Sequence, residues 1–161
     1  MLERLLYPEV AKWLAQYLQG RRPKANVTAH DTHSADLSAF LLRQGLHKHF
    51  ADYSAFEIQV DVTGVVETPK TVELAFVECK IAPITLGDVG QLLGYSLVAR
   101  PALSFLISPR GISDRLRTLL VTFGRQDILT YAPGRALRLA PWDPVRGEVD
   151  LSQIVPAGTH H

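Results

Sequence analysis

A chain of 161 residues, 47% of them apolar, is long enough to bury a core and short enough to make one domain the expectation. Its 17 basic and 16 acidic side chains leave a formal net charge of +1, so a grip on a polyanion must come from a local cluster of charge rather than from the chain as a whole. A single cysteine, Cys79, excludes an internal disulfide and any four-cysteine zinc or iron–sulfur site, and fits a reducing, cytoplasmic compartment.

Val10, Trp13, Leu14 and Tyr17 recur at helical spacing between Pro8 and Gly20, which predicts a helix over 8–19. The basic turn Arg21-Arg22-Pro23-Lys24 follows. A second helical pattern over 35–50 turns Leu37, Phe40, Leu41 and Leu46 inward, and both helices are expected before any strand. Phe56, Ile58, Val60 and Val62 then alternate with Glu57, Gln59, Asp61 and Thr63, the period of two of a strand with two different faces. A turn over 67–70 and the run VELAFVECK complete an antiparallel hairpin, so Asp61 is expected beside Glu78 and Lys80.

Thr85 and Asp88 form a capping pattern for a helix reaching Arg100, and Gly87, Gly90 and Gly94 suggest that it presses closely on the sheet. ALSFLIS reads as a buried strand, ISDRLRTLLVTFG as a helix stopped by Gly124, and ILTYA and ALRLA as short strands. The proline- and glycine-containing tail from Pro141 reads as an irregular wrap. No apolar run approaches the roughly 20 residues of a membrane span, and the charged opening MLERLLYPEV is unlike a signal peptide. His160 and His161 resemble a tag remnant, so 158–161 are set apart from a single domain over 1–157.

Glu78 and Lys80 stand two apart on a strand and share a face, while Val77 and Cys79 point the other way. A carboxylate from the neighbouring strand, Asp61, would add to an oxygen-lined pocket of the kind that holds Mg²⁺, which needs only one or two protein carboxylates. Alone, Glu-x-Lys is usually an ordinary ion pair on a solvated strand. Its context gives it weight: an apolar strand up to Val77, a preceding strand carrying Asp61, and a helix following at once with Gln91 and Tyr95 one turn apart.

Over 56–109 this arrangement resembles the PD-(D/E)XK nuclease superfamily, with a shortened first motif at Val60-Asp61 and the second at Glu78-Cys79-Lys80; the proline before Asp61 is absent. Gln91 and Tyr95 resemble the Q-x-x-x-Y motif of its RecB-like and Cas4-like branches. The resemblance implies a restriction-endonuclease-like α/β fold, a central mixed β-sheet flanked by helices. It also implies Mg²⁺ or Mn²⁺ at Asp61 and Glu78, with Lys80 assisting the attacking water in DNA cleavage. Gln91 and Tyr95 would meet substrate or support the site, and Glu9 is the candidate for the additional first-helix acid that many members carry. The iron–sulfur branches need four cysteines and do not apply.

Glu57 and Gln59 rank below Glu9 as residues bordering the metal. His30, Asp31 and His33 read as a polar loop and Cys79 as a buried small apolar residue. Arg21, Arg22, Lys24, Arg43, Lys48, Arg110, Arg115 and Arg117 are the candidates for phosphate contacts. A chain of this size suggests a homodimer or a larger complex. The alternatives are a nuclease-like module that binds nucleic acid or a partner without cutting, and an RNA-cleaving enzyme.

Overall fold

A computed structural model describes residues 2–158; the His160–His161 pair lies outside the described residues. Helix α1 (Tyr7–Arg21) follows a short 3-10 turn at Glu3–Leu5 and has Pro8 in its first turn, where a missing N–H costs nothing. Val10, Leu14 and Leu18, four apart, and Trp13 form its buried face. Then come β1 (Asn26–Asp31), α2 (Leu37–Arg43), β2 (Val62–Glu67), β3 (Val72–Cys79), α3 (Leu86–Ala99) and β4 (Leu103–Ser108). The chain ends with α4 (Asp114–Arg117), which runs on into a π turn at Thr118–Thr122, and with β5 (Thr130–Ala132), β6 (Arg135–Ala136), β7 (Arg138–Asp143) and β8 (Glu148–Val149).

Six strands form one mixed sheet in the order β1-β2-β3-β4-β7-β8, and β5 with β6 makes a separate hairpin. β1, β2 and β3 are successively antiparallel, β3, β4 and β7 run parallel, and β8 closes the far edge antiparallel to β7. Alternate residues of β3 feed two cores. Ala75, Val77 and Cys79 pack with α1, whereas Leu74 and Phe76 pack with α2, α3 and α4 on the other side. Covered on both faces, β4 is buried along its whole length, as parallel strands under helices are. Gly64 of β2 lies under α1, where an added Cβ would meet Leu18 Cδ1 at 2.7 Å and Leu14 Cδ2 at 3.0 Å.

The mixed α/β organisation and the β2–β3 hairpin agree with the sequence reading, and several details differ. A strand, β1, stands between the first two helices, so His30 and Asp31 belong to a strand rather than a loop. The second helix ends at Arg43 before Gly45, whose φ of +70° breaks it, and is followed by a 3-10 turn at His47–His49. Phe56, Ile58 and Val60 are buried in alternation as expected, yet β2 begins only at Val62. Upstream, the backbone is engaged elsewhere: Ile58 O accepts from Leu37 N and Asp61 O from Thr32 N, each at 2.8–2.9 Å.

Gly87, Gly90 and Gly94 are exposed and do not touch the sheet; the buried face of α3 is Val89, Leu92, Ser96 and Ala99. The tail is not irregular throughout, since β7 continues through Pro141 to Asp143 and β8 pairs with it at Trp142↔Val149. The ALRLA run divides between β6 and β7. Among the described residues, no helix is long and apolar enough to cross a membrane.

Candidate functional site

The β2–β3 register pairs Val62 with Val77, so one step further Asp61 comes opposite Glu78. Both are buried, at 9% and 6% exposure, although carboxylates are normally solvated. Crossed hydrogen bonds tie each to the other's backbone: Asp61 N donates to Glu78 Oε1 at 3.1 Å, and Cys79 N donates to Asp61 Oδ2 at 2.8 Å. The two side chains also touch.

Burial, with the backbone and Glu78 contacts opposing it, pushes the Asp61 carboxyl above its usual range. Burial and then the charge of Asp61 push Glu78 up to about 8. Two carboxylates removed from water side by side lack a full counter-charge, so a shared proton or a bound cation is the natural neutraliser.

Lys80 partly supplies that charge and pulls Glu78 back down. Its Nζ lies 3.8 Å from Asp88 Oδ1. Asp88 in turn caps α3, its Oδ2 accepting from Thr85 N at 2.9 Å. The capping box that starts α3 thereby steers the ammonium at the end of β3.

The N-terminal segment adds residues that the sequence pattern did not single out. Tyr7 Oη donates to Glu3 Oε2 at 2.7 Å and also meets Asp61; burial and these acids hold the phenol well above its ordinary pKa. Glu3 therefore approaches Asp61 and raises it further. Glu9 does not: two residues beyond Tyr7 it points to another side of α1 and is exposed. The His33 ring lies against Tyr7 at a 35° tilt with centroids 4.9 Å apart, and its Nδ1 pairs with Asp31 Oδ1 at 2.6 Å, so the His-Asp-Thr-His run borders this end of the sheet. The i, i+4 spacing of Glu3 and Tyr7 was the available signal, hidden because Glu3 precedes the periodic part of the helix.

Tyr95 is half-buried and lines a cleft with Asp36, Glu57 and Gln59, while Gln91 is exposed on α3. The structure thus brings Asp61, Glu78 and Lys80 together and keeps Gln91 and Glu9 on the surface. Cys79 is fully buried, packs beside Val77, and has a thiol pushed up by burial and then by Asp61.

Of the basic candidates, Arg110 follows β4 at the same sheet end, with its N–H on Ser108 Oγ; Arg115 shares a cleft with Thr85 and Gly87 at the start of α3, and Arg43, Lys48 and Arg117 are exposed. Arg21, Arg22 and Lys24 stand at the opposite end of α1.

For a divalent ion, the donor chemistry of Asp61 and Glu78 suits Mg²⁺ or Mn²⁺: hard oxygens, oriented by backbone N–H groups, with negative charge in excess. Among the described residues, no set of three or more His, Cys, Asp or Glu side chains is grouped to hold an ion, so such an ion would keep most of its ligands as water or substrate oxygens. No family model, no curated protein and no solved structure matches this chain.

Proposed function

We propose that this chain is a metal-dependent nuclease of the PD-(D/E)XK type with a restriction-endonuclease-like fold, hydrolysing phosphodiester bonds of DNA. The supporting observation is the buried Asp61–Glu78 pair, with Lys80 beside it and Glu78 lifted to about 8. Such a pair is costly unless something neutralises it, and a divalent cation does so without taking the carboxyls out of use.

Asp61 and Glu78 would hold Mg²⁺ or Mn²⁺, which when bound supplies a Lewis acid for the phosphoryl oxygen and a lowered pKa for water. Glu78 must give up its proton for that role, so occupancy rises with pH through its raised pKa. Lys80, held near Glu78 by Asp88, orients the attacking water and offsets charge developing on the phosphate. Tyr7 keeps its proton and orients Glu3 and Asp61 through its hydroxyl.

The test incubates the protein with circular, linear and single-stranded DNA and with RNA, in Mg²⁺, Mn²⁺ or chelator, beside Glu78→Gln and Lys80→Ala. Cation-dependent cutting lost in both variants is the expected result. Cutting that survives both substitutions, or chelator, contradicts the proposal. Binding without cutting makes the chain the non-catalytic module, and preference for RNA makes it a ribonuclease.

A further inference from the structure

The six-stranded sheet ends in two edges that are not alike. At one edge, β8 is two residues long and is followed after Asp150 by a 3-10 turn at Leu151–Gln153, so it offers little to a further strand. At the other, β1 has six residues in unbroken register with β2, from Asn26↔Glu67 to Asp31↔Val62. It contains no lysine, proline or bulge, the usual devices that keep an edge from pairing, and its one carboxylate, Asp31, stands at its end. Among the described residues no strand lies on its outer side.

The ladder decides which main-chain groups face outward. Thr32 N donates to Asp61 O at 2.9 Å, one step past the Asp31↔Val62 pair. Asn26, Thr28 and His30 therefore bond to β2, and Val27, Ala29 and Asp31 turn their N–H and C=O groups to the open side. Helix α1 lies over β1 and β2, with Val27 and Ala29 packed beneath it. One flank of α1 faces the middle of the sheet, where Trp13 and Tyr17 meet Phe105 of β4 and Trp13 meets Trp142 of β7. Helical spacing puts Ala11 and Ala15, both half-buried, on the opposite flank above the open edge. Side chains this small let another helix approach to about 8–10 Å between axes.

The two ends of β1 also carry opposite charges. Lys24, exposed, stands two residues before the strand, and Asp31, exposed, closes it. His33 holds Asp31 through Oδ1, and a carboxylate accepts at both oxygens.

We infer that β1 pairs antiparallel with β1 of a second copy of this chain, joining two sheets into one across a two-fold axis at Thr28 or Ala29. Antiparallel pairing of like strands sets the start of each against the end of the other, so Lys24 comes beside the partner's Asp31, twice by symmetry. The outward groups of Val27, Ala29 and Asp31 gain partners, and the two α1 helices meet along Ala11 and Ala15. A strand of another protein satisfies the main chain alone; the second copy also matches the end charges and the small flank of α1. The interface uses none of Asp61, Glu78 or Lys80, so it stands apart from the hydrolase reading.

The test follows the full chain by sedimentation equilibrium over a wide concentration range, with amide hydrogen exchange read at single residues. Ala29→Pro, Lys24→Glu and the double variant Lys24→Glu/Asp31→Lys are measured beside the parent. A dimer is expected, with exchange at Val27 and Ala29 slowing as concentration rises and exchange at Thr28 slow throughout. Ala29→Pro removes an outward N–H and none from the β1–β2 ladder, so it should stay folded and become monomeric. Lys24→Glu should weaken the dimer about tenfold, and the double variant should restore it. Should Ala29→Pro fold poorly, the two exposed charge variants carry the test. A monomer at every concentration, a dimer untouched by both Ala29→Pro and Lys24→Glu, or a dimer whose Val27 and Ala29 exchange does not slow overturns the inference.

Discussion

Helix α1 joins two opposite electrostatic regions. Near its start, Tyr7 and Glu3 adjoin the buried Asp61–Glu78 pair; near its end, Arg21 and Arg22 adjoin Arg138 and Arg135. With a rise of about 1.5 Å per residue, the fifteen residues of Tyr7–Arg21 separate the two by about 20 Å. The helix dipole favours both, partial positive charge facing the carboxylates and partial negative charge facing the guanidiniums. The two regions nevertheless differ in kind. The acidic one is buried and anchored by backbone N–H groups, which demands a counter-charge in contact; in the basic one Arg22 pairs with Glu73, and Arg21 and Arg138 lie over the rings of Tyr17 and Phe105. A net charge of +1 conceals both.

The largest effect is expected from cutting into the acidic region. Lys80→Ala should reduce cation-dependent cleavage by about 10²- to 10⁴-fold, the range for loss of a positioned proton-handling group, with little change in thermal stability. A rate within a few-fold of the parent would detach Lys80 from the chemistry.

Next is the pH dependence of folding without divalent cations. Glu78 is raised from 4.5 to about 8 in the folded protein, so the folded state binds the extra proton between those values. The stabilisation from its protonated form is complete below 4.5 and is lost as pH rises through about 8. Denaturant unfolding at pH 5 and pH 8.5 should show a fall of order 1–3 kcal/mol, discounted for relaxation of the pair, that Glu78→Gln flattens. An unchanged slope in Glu78→Gln would place the titration elsewhere.

Both regions depend on how α1 seats on β2. Gly64→Val should cost about 1–3 kcal/mol, because the new side chain enters space held by Leu14 and Leu18. A smaller sharpening comes from Thr85→Ala, which removes the cap of α3 at about 1 kcal/mol and loosens Asp88 beside Lys80. Its effect on cleavage should exceed that of an exposed substitution such as Val145→Ala.

Much of this was legible in the sequence because it rests on local pattern. The alternation before Asp61, the apolar run before Glu78 and the Thr85/Asp88 cap are period and capping signals, and they place Asp61, Glu78 and Lys80 in one neighbourhood. What escaped depends on long-range contact. β1, NVTAHD, has only Val27 and Ala29 as apolar residues, buries none of its six fully, and is held by its pairing with β2. Glu3 enters the site through Tyr7, and Arg138 joins Arg21 only when β7 comes beside β4, a partnership between residues more than a hundred apart. The glycines of α3 misled for a related reason: glycine shows that a side chain is absent and not which way the backbone faces.

On the proposed reading, Asp61 and Glu78 hold a divalent cation jointly. Calorimetric titration of Mn²⁺ into the parent, Asp61→Asn and Glu78→Gln, at pH 6 and pH 8.5, tests it most directly. Saturable binding by the parent is expected, tighter at pH 8.5, with proton release at pH 6 and affinity lost in either variant. Mn²⁺ binding that persists undiminished in both variants, or no saturable binding by the parent at pH 8.5, would contradict it.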